Sequence, residues 1–338
     1  MTQEGPTAQA VAAAVCANKA LAEPPQRSQL LRLLRSFVEP NEDPNRSANF
    51  RAASRDPVAP FADLLLHPSV QGDAVAVLLL LKVLKILSRK ADNRAVVGPD
   101  GIRAVLVNLA PPLNPQVAAE GANALLNICY EPQNVGLLLQ TRGVEQLVEF
   151  LQAEGSQLLQ ANAAGAIQSI CYQPAGRRAV REHEGIQSLL PLLSMRDAPN
   201  VVSRAVGAIH NLSSDAASIP LIRKYAGIPR LVELLGHANV GVAGSAAGAL
   251  QNVSRELTSR VVIRDLDAVP PLATLLSCQD VHAQVCSAGA LLNIMGPDME
   301  DGEYGAGNTK RALGAVMSLI LAASIVHEGV FERRPDLC

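Results

Sequence analysis

Tryptophan is absent from this chain of 338 residues, and aromatic residues of all kinds make up only 3%. A core without large rings has to be built from Leu, Val, Ile and Ala, which suits closely packed helices. Net charge is missing too: 29 basic residues stand against 31 acidic ones, for −2 at pH 7. That balance gives no bulk attraction to nucleic acid or to a charged membrane surface. Cysteine is sparse and scattered, at Cys16, Cys129, Cys171, Cys278, Cys286 and Cys338. No CxxC pair occurs, so neither a zinc ribbon nor a disulfide framework is indicated. This usage points to a reducing compartment.

Further absences narrow the class. The opening "MTQEGPTAQAVAAAVC" has no basic segment followed by a long apolar run, as a secretory signal would, and no Gly at position 2 for myristoylation. The apolar run from Ala312 to Val326 is too short to span a bilayer. The run "AVAVLLLLKVLKILS" from Ala74 is interrupted by Lys82 and Lys85. Both read as buried helices, so no integral membrane segment is expected. No phosphate-binding glycine loop, HExxH or GxSxG stands in a suitable context. Of His67, His183, His210, His237, His282 and His327, no two have metal-ligand spacing on one helix. No enzyme activity, cofactor or metal is expected. "REHEG" at Arg181 and "MEDGE" at Met299 read as solvated turns.

What the chain does have is a repeat. "AAGALQNVS" at Ala246 returns as "AAGAIQSIC" at Ala163, "AVGAIHNLS" at Ala205, "SAGALLNIM" at Ser287 and, more loosely, "GANALLNIC" at Gly121. Aligned, they give one column: Asn127, Ser169, Asn211, Asn252 and Asn293, at steps of 42, 42, 41 and 41 residues. One step further back lies Lys85. A period this steady marks a stacked architecture rather than a single globular core. A second word shares the period: "GIRAVLVNL" at Gly101, "GVEQLVEFL" at Gly143, "GIQSLLPLL" at Gly185, "GIPRLVELL" at Gly227 and "AVPPLATLL" at Ala268, with "PVAPFADLL" at Pro57 as an early version. Each glycine follows a short helical stretch, where a left-handed cap is expected. The unit is therefore a short helix with its glycine break, a middle helix and a longer third helix. Cys129 and Cys171 share a column with Ser213, Ser254 and Met295, which makes that column a packing slot.

A triple-helix unit of 41 to 42 residues with these two words resembles the armadillo repeat, from about Pro57 to Met295. The resemblance implies an all-α, right-handed α-solenoid of about six repeats with a partial seventh. The expected organisation is an N-terminal helical cap and linker over residues 1–56 and repeats over 57–295. An acidic Gly-rich loop over 296–308 and a partial or degenerate repeat over 309–338 follow. The N-terminal helices are either a capping unit or a separate arm.

On a helix turning 100° per residue, positions −3, −2, +1 and +2 from the Asn column face the core. Positions −7, −4, −1 and +3 lie with the column on the outer side. In the armadillo family the third helices line a concave groove, and the matching Asn binds the backbone of an extended peptide. The resemblance thus implies a partner-binding groove of Lys85, Asn123, Asn127, Gln168, Ser169, Arg204, His210, Asn211, Gln251, Asn252, Arg255 and Asn293. Each amide offers both a donor and an acceptor. The bland use is a bond to a neighbouring helix end, and the two uses are compatible. Arg204, His210 and Arg255 add a mild preference for acidic ligands.

The column four residues before Asn reads Leu81, Asn123, Gly165, Gly207, Gly248 and Gly289. Importin-α-like members often have Trp there, so this array is closer in pattern to vacuolar and plant-type armadillo proteins. Its glycines serve either a wide floor for a bulky partner helix or close helix packing. Leu78, Leu81 and Leu84 would be an exposed stripe on the first repeat unless the N-terminal helices or a partner cover it. The expected function is a non-catalytic protein-interaction scaffold or adaptor in the cytoplasm, with nuclear and ciliary sites open. The alternatives are a structural subunit of a cytoskeletal, ciliary or vesicle-associated assembly, with an assembly contact at the C-terminal end, or a piece of an armadillo ubiquitin ligase.

Overall fold

The computed structural model describes residues 5–53, 55–110 and 114–295. The expected loop at 296–308 and partial repeat at 309–338 lie outside these. Among the described residues every regular element is helical. The chain divides into two compact units, Met1–Gly185 and Ile186–Cys338.

In the first unit, α1 (Ala8–Ala17), α2 (Arg27–Asn41) and the single turn α3 (Ala48–Arg51) precede the repeats. The first repeat has α4 (Ala59–Leu66), the turn α5 (Pro68–Gln71) and the long α6 (Ala74–Leu87). The second has α7 (Ala91–Arg94), α8 (Gly98–Val107) and α9 (Pro115–Ile128). The third has α10 (Pro132–Leu138), α11 (Gly143–Leu151) and α12 (Gln157–Ile170), and α13 (Pro174–Glu182) opens the fourth. In the second unit, α14 (Gly185–Leu189) runs into a 3₁₀ turn and is followed by α15 (Pro199–Ser213). The fifth repeat has α16 (Ile219–Lys224), α17 (Gly227–Leu234) and α18 (Val240–Val253). The sixth has α19 (Leu257–Asp265), α20 (Val269–Leu275) and α21 (Val281–Met295).

The third helices start where the sequence offers a cap. Asp73, Asn114, Ser156 and Asn239 each accept hydrogen bonds from backbone N–H groups two or three residues on. Within each unit they pack in series, α6 on α9 on α12 and α15 on α18 on α21, with the middle helices laid against them. The face predicted to be core is core: Ala249, Leu250, Val253 and Ser254 are fully buried. Cys129 and Cys171 are buried in their packing slot, and burial pushes the Cys129 thiol up to about 12.

The repeat glycines differ from expectation. In the last three repeats the left-handed residue is the one before: Glu184 and Ala226 precede Gly185 and Gly227, and Asp267 precedes Ala268, with φ of 60°, 55° and 53°, whereas Arg142 before Gly143 has φ −82°. The glycine itself is a site of close approach. A Cβ at Gly227 would lie 2.8 Å from the Ile222 carbonyl oxygen and 2.7 Å from Ile222 Cγ2. At Gly143 it would lie 2.3 Å from Leu138 Cδ1. The short first helix thus turns back onto its own middle helix with no room for a methyl group.

The N-terminal helices form a cap. Helix α2 packs on α6, and Leu81 and Leu84 are buried. Arg89 donates to the carbonyls of Asn41 (2.7 Å) and Glu42 (2.6 Å), satisfying the end of α2. Lys82 lies 3.1 Å from Glu42, and Lys85 pairs with Glu42 as well. The linker is fastened through buried Asp56, which accepts from Lys90 (2.8 Å), Asn93 (2.9 Å) and Gln9 (3.0 Å).

Partial burial raises the Glu42 pKa, but Lys85 and then Lys82 outweigh it and hold the carboxyl below its usual range. A depressed carboxylate contributes stability that is present above its unfolded pKa and lost as pH falls through the folded one. Amide exchange in α2 should therefore accelerate as pH is lowered below the ordinary carboxylate range, after correction for intrinsic rates. In Glu42→Gln that dependence should flatten. Gly227→Ala should destabilise by about 1–3 kcal/mol through forced displacement of backbone, read by urea unfolding. Gly136→Ala, with nothing within 4 Å of the added carbon, should stabilise by about 0.5–1 kcal/mol.

Candidate functional site

Three of the column side chains reach back to the preceding third helix. Asn127 Nδ2 donates to the Lys85 carbonyl at 3.2 Å. Asn252 Nδ2 donates to Ser213 Oγ at 3.0 Å and lies 3.5 Å from the His210 carbonyl. Asn293 Nδ2 donates to the Gln251 carbonyl at 3.0 Å and to Ser254 Oγ at 3.1 Å. Ser169 is too short for this reach, and its hydroxyl returns to Gly165 of its own helix. Two turns earlier Asn162 supplies the inter-helix bond instead, donating to the Ala119 carbonyl at 2.8 Å.

The donor half of these amides is thus engaged in the stack. The side-chain oxygen of the half-buried Asn293 takes no part in these bonds. The Asn252 carbonyl accepts from Arg255, which is exposed. Asn123, Gln168, Asn211 and Gln251 are half-buried on the same helices, and Arg204 is exposed. Lys85 is elsewhere in character. It is 6% exposed, held between Glu42 and Glu120, with Nζ 2.6 Å from the latter. The sequence column put it on the open face, and helix α2 closes that face over it.

The glycine column is not an open floor at Gly248 and Gly289. A Cβ at Gly248 would lie 2.5 Å from His210 Nε2, and one at Gly289 would lie 2.1 Å from Gln251 Nε2. The side chain just before the Asn column of one repeat therefore lies across the glycine of the next. Burial, and secondarily the neighbouring His282, lower His210 to about 4. It is neutral at neutral pH and adds no charge for acidic ligands, contrary to the sequence expectation. Arg204 and Arg255 remain.

Sequence reasoning also left two features out of the site. Tyr130 and Tyr172, three residues after Asn127 and Ser169, are 45% and 52% exposed. Their ring centroids lie 5.9 Å apart, with the Arg94 guanidinium 5.8 Å from the Tyr130 ring centre. The repeat period carried this signal, since equal offsets from one column fall side by side. The second feature is His210, His282 and Cys286, whose ligating atoms all lie within 4.8 Å of one another. Spacing along single helices, considered for His pairs alone, gave no sign of it.

No protein-family model matches the sequence, and neither does any curated protein. Solved structures do. An engineered protein superposes with a TM-score of 0.68 at 23% identity, over 96% of this chain and 77% of its own. A designed armadillo repeat protein gives 0.64 at 20% identity, over 70% and 100%. Another, in complex with peptide (KR)4, gives 0.61 at 21%, over 69% and 98%. The chain is an all-α solenoid with an armadillo-like repeat fold. No described helix is long and apolar enough to cross a membrane.

Asn293→Ala should cost about 1–2 kcal/mol, because two bonds to the preceding third helix are lost, one of them to the buried Ser254 hydroxyl. Asn123→Ala, four residues before the Asn column on α9, should cost less. Urea denaturation of both variants checks the ordering.

Proposed function

We propose that this chain is a non-catalytic scaffold that holds a segment of another protein along its third-helix face. The observation that carries the reading is the recurrence of polar and aromatic side chains at one repeat spacing on that face. A solved neighbour of the same fold, in complex with peptide (KR)4, supports it. An extended segment presents backbone N–H groups that an amide carbonyl such as that of Asn293 accepts without reading the side chains. In the first unit, Tyr130 and Tyr172 offer an exposed ring pair flanked by Asn123 and Gln168. Aromatic surface of this kind binds apolar or ring side chains at low entropic cost. In the second unit, the exposed Arg204 and Arg255 favour carboxylates. The first unit therefore favours segments with apolar or aromatic residues and the second favours acidic ones, neither being the alternating basic sequence of the neighbour's ligand.

The absence of Trp and the glycine column support a reading nearer the vacuolar and plant-type armadillo pattern than the importin-α-like one. The scaffold acts in the cytoplasm as an adaptor.

Peptides selected by display against the full chain should be enriched in Asp, Glu and aromatic residues. Affinity should fall tenfold or more, equivalent to about 1.4 kcal/mol, for the acidic peptides on Arg204→Glu with Arg255→Glu and for the aromatic peptides on Tyr130→Ala with Tyr172→Ala. All four side chains are exposed, and circular dichroism checks that both variants keep wild-type helicity before affinities are compared. Selected peptides that bind both variants as tightly as wild type would move the interaction away from this face.

A further inference from the structure

Among the described residues, one cluster of metal-ligating side chains converges across three repeats. His282 and Cys286 stand four residues apart on α21, so they share one face of that helix. Cys286 Sγ lies 3.7 and 3.8 Å from the two ring nitrogens of His282. His210 comes from α15, two repeats earlier, and its ring centre is 5.6 Å from that of His282. It reaches α21 by crossing α18 where Gly248 has no side chain. Any other residue would put a Cβ 2.5 Å from His210 Nε2 and drive the ring away. The glycine is therefore part of what brings three donors together.

We propose that His210, His282 and Cys286 form a binding site for one thiophilic divalent cation of the zinc type, with the fourth position open on the third-helix face. The donor set is two imidazole nitrogens and one sulfur, which suits zinc and disfavours magnesium and calcium. On a tetrahedral zinc, with bonds of about 2.0–2.1 Å to nitrogen and 2.3 Å to sulfur, ligand atoms lie roughly 3.3–3.7 Å apart. The His282–Cys286 pair already has that separation. Rotation of His282, the exposed member, closes the rest. Both imidazoles bind as neutral lone-pair donors. Cys286 loses its thiol proton to the buffer as the sulfur–metal bond forms, and nothing is oxidised or reduced. Two protein helices from alternate repeats would then be joined through the ion, which stabilises the folded form by linkage. The site stands on its own geometry and does not depend on the peptide-binding reading.

The test uses the full chain, metal-free and kept reduced, titrated with Zn²⁺ against a chromophoric chelator and separately with Co²⁺. One equivalent should bind. The Co²⁺ form should show the visible bands of a tetrahedral ion and a sulfur-to-cobalt charge-transfer band. Cys286→Ser should abolish the charge-transfer band, and His282→Gln should weaken binding at least tenfold. Gly248→Ala should also weaken binding by displacing His210. Cys278→Ser and Cys16→Ser should leave it unchanged. Because His282 is exposed, its variant keeps the fold, as circular dichroism would verify. Failure to bind a stoichiometric ion would overturn the assignment, and so would binding that survives both Cys286→Ser and His282→Gln.

Discussion

Within each of the two units, a third helix is tied to the one before it by side chains that cross the gap between repeats, and the rest of the architecture depends on that tie. An Asn amide reaches back to the last carbonyls and hydroxyls of the preceding third helix, as Asn252 and Asn293 do. In the other direction, the residue just before the Asn column lies forward over the glycine of the next repeat, as His210 and Gln251 do. One tie needs a long amide and the other needs no side chain at all. Those opposed requirements explain why Gly and Asn recur four residues apart in the same helical word. The helix-propensity cost of such a glycine, about 1 kcal/mol relative to Ala, is offset by the contact it permits.

This arrangement determines what the outer face can present. Because amide nitrogens serve the stack, the third helices present a tyrosine pair in the first unit and exposed arginines in the second rather than a ladder of free amides. Recognition of an extended segment then rests on one-sided backbone contacts plus side-chain chemistry that differs between repeats. At the N-terminal end the same logic is closed off. Where the Asn column holds Lys85, helix α2 covers the face and Glu42 and Glu120 neutralise the ammonium. A buried charge of this kind persists only when it is paired.

Most of the fold was legible in the sequence because a repeat prints its geometry as a period. The 41- and 42-residue steps located the third helices, and helical angles from the Asn column separated buried Leu250 and Val253 from half-buried Gln251 and Asn252. Cap residues such as Asp73 and Asn239 were legible for the same local reason. The glycine before each middle helix was legible in position but not in cause, since a left-handed cap and a close approach both select glycine. Lys85 was misplaced because its burial depends on a helix about 43 residues away that lies outside the repeat pattern. The His210–His282–Cys286 convergence was beyond a search along single helices. Its trace is the coincidence of His at the position before Asn, Gly in the next repeat and an i, i+4 His–Cys pair in the one after.

The central claim is that the column amides belong to the stack. Side-chain amide hydrogen exchange, followed by NMR with Asn-selective labelling, tests it most directly at Asn127, Asn252 and Asn293. The account predicts slow exchange of the Asn252 and Asn293 NH₂ protons, unchanged when a selected peptide saturates the face. Fast exchange in the free chain, becoming slow only with peptide bound, would show that the amides serve the ligand instead and would contradict it.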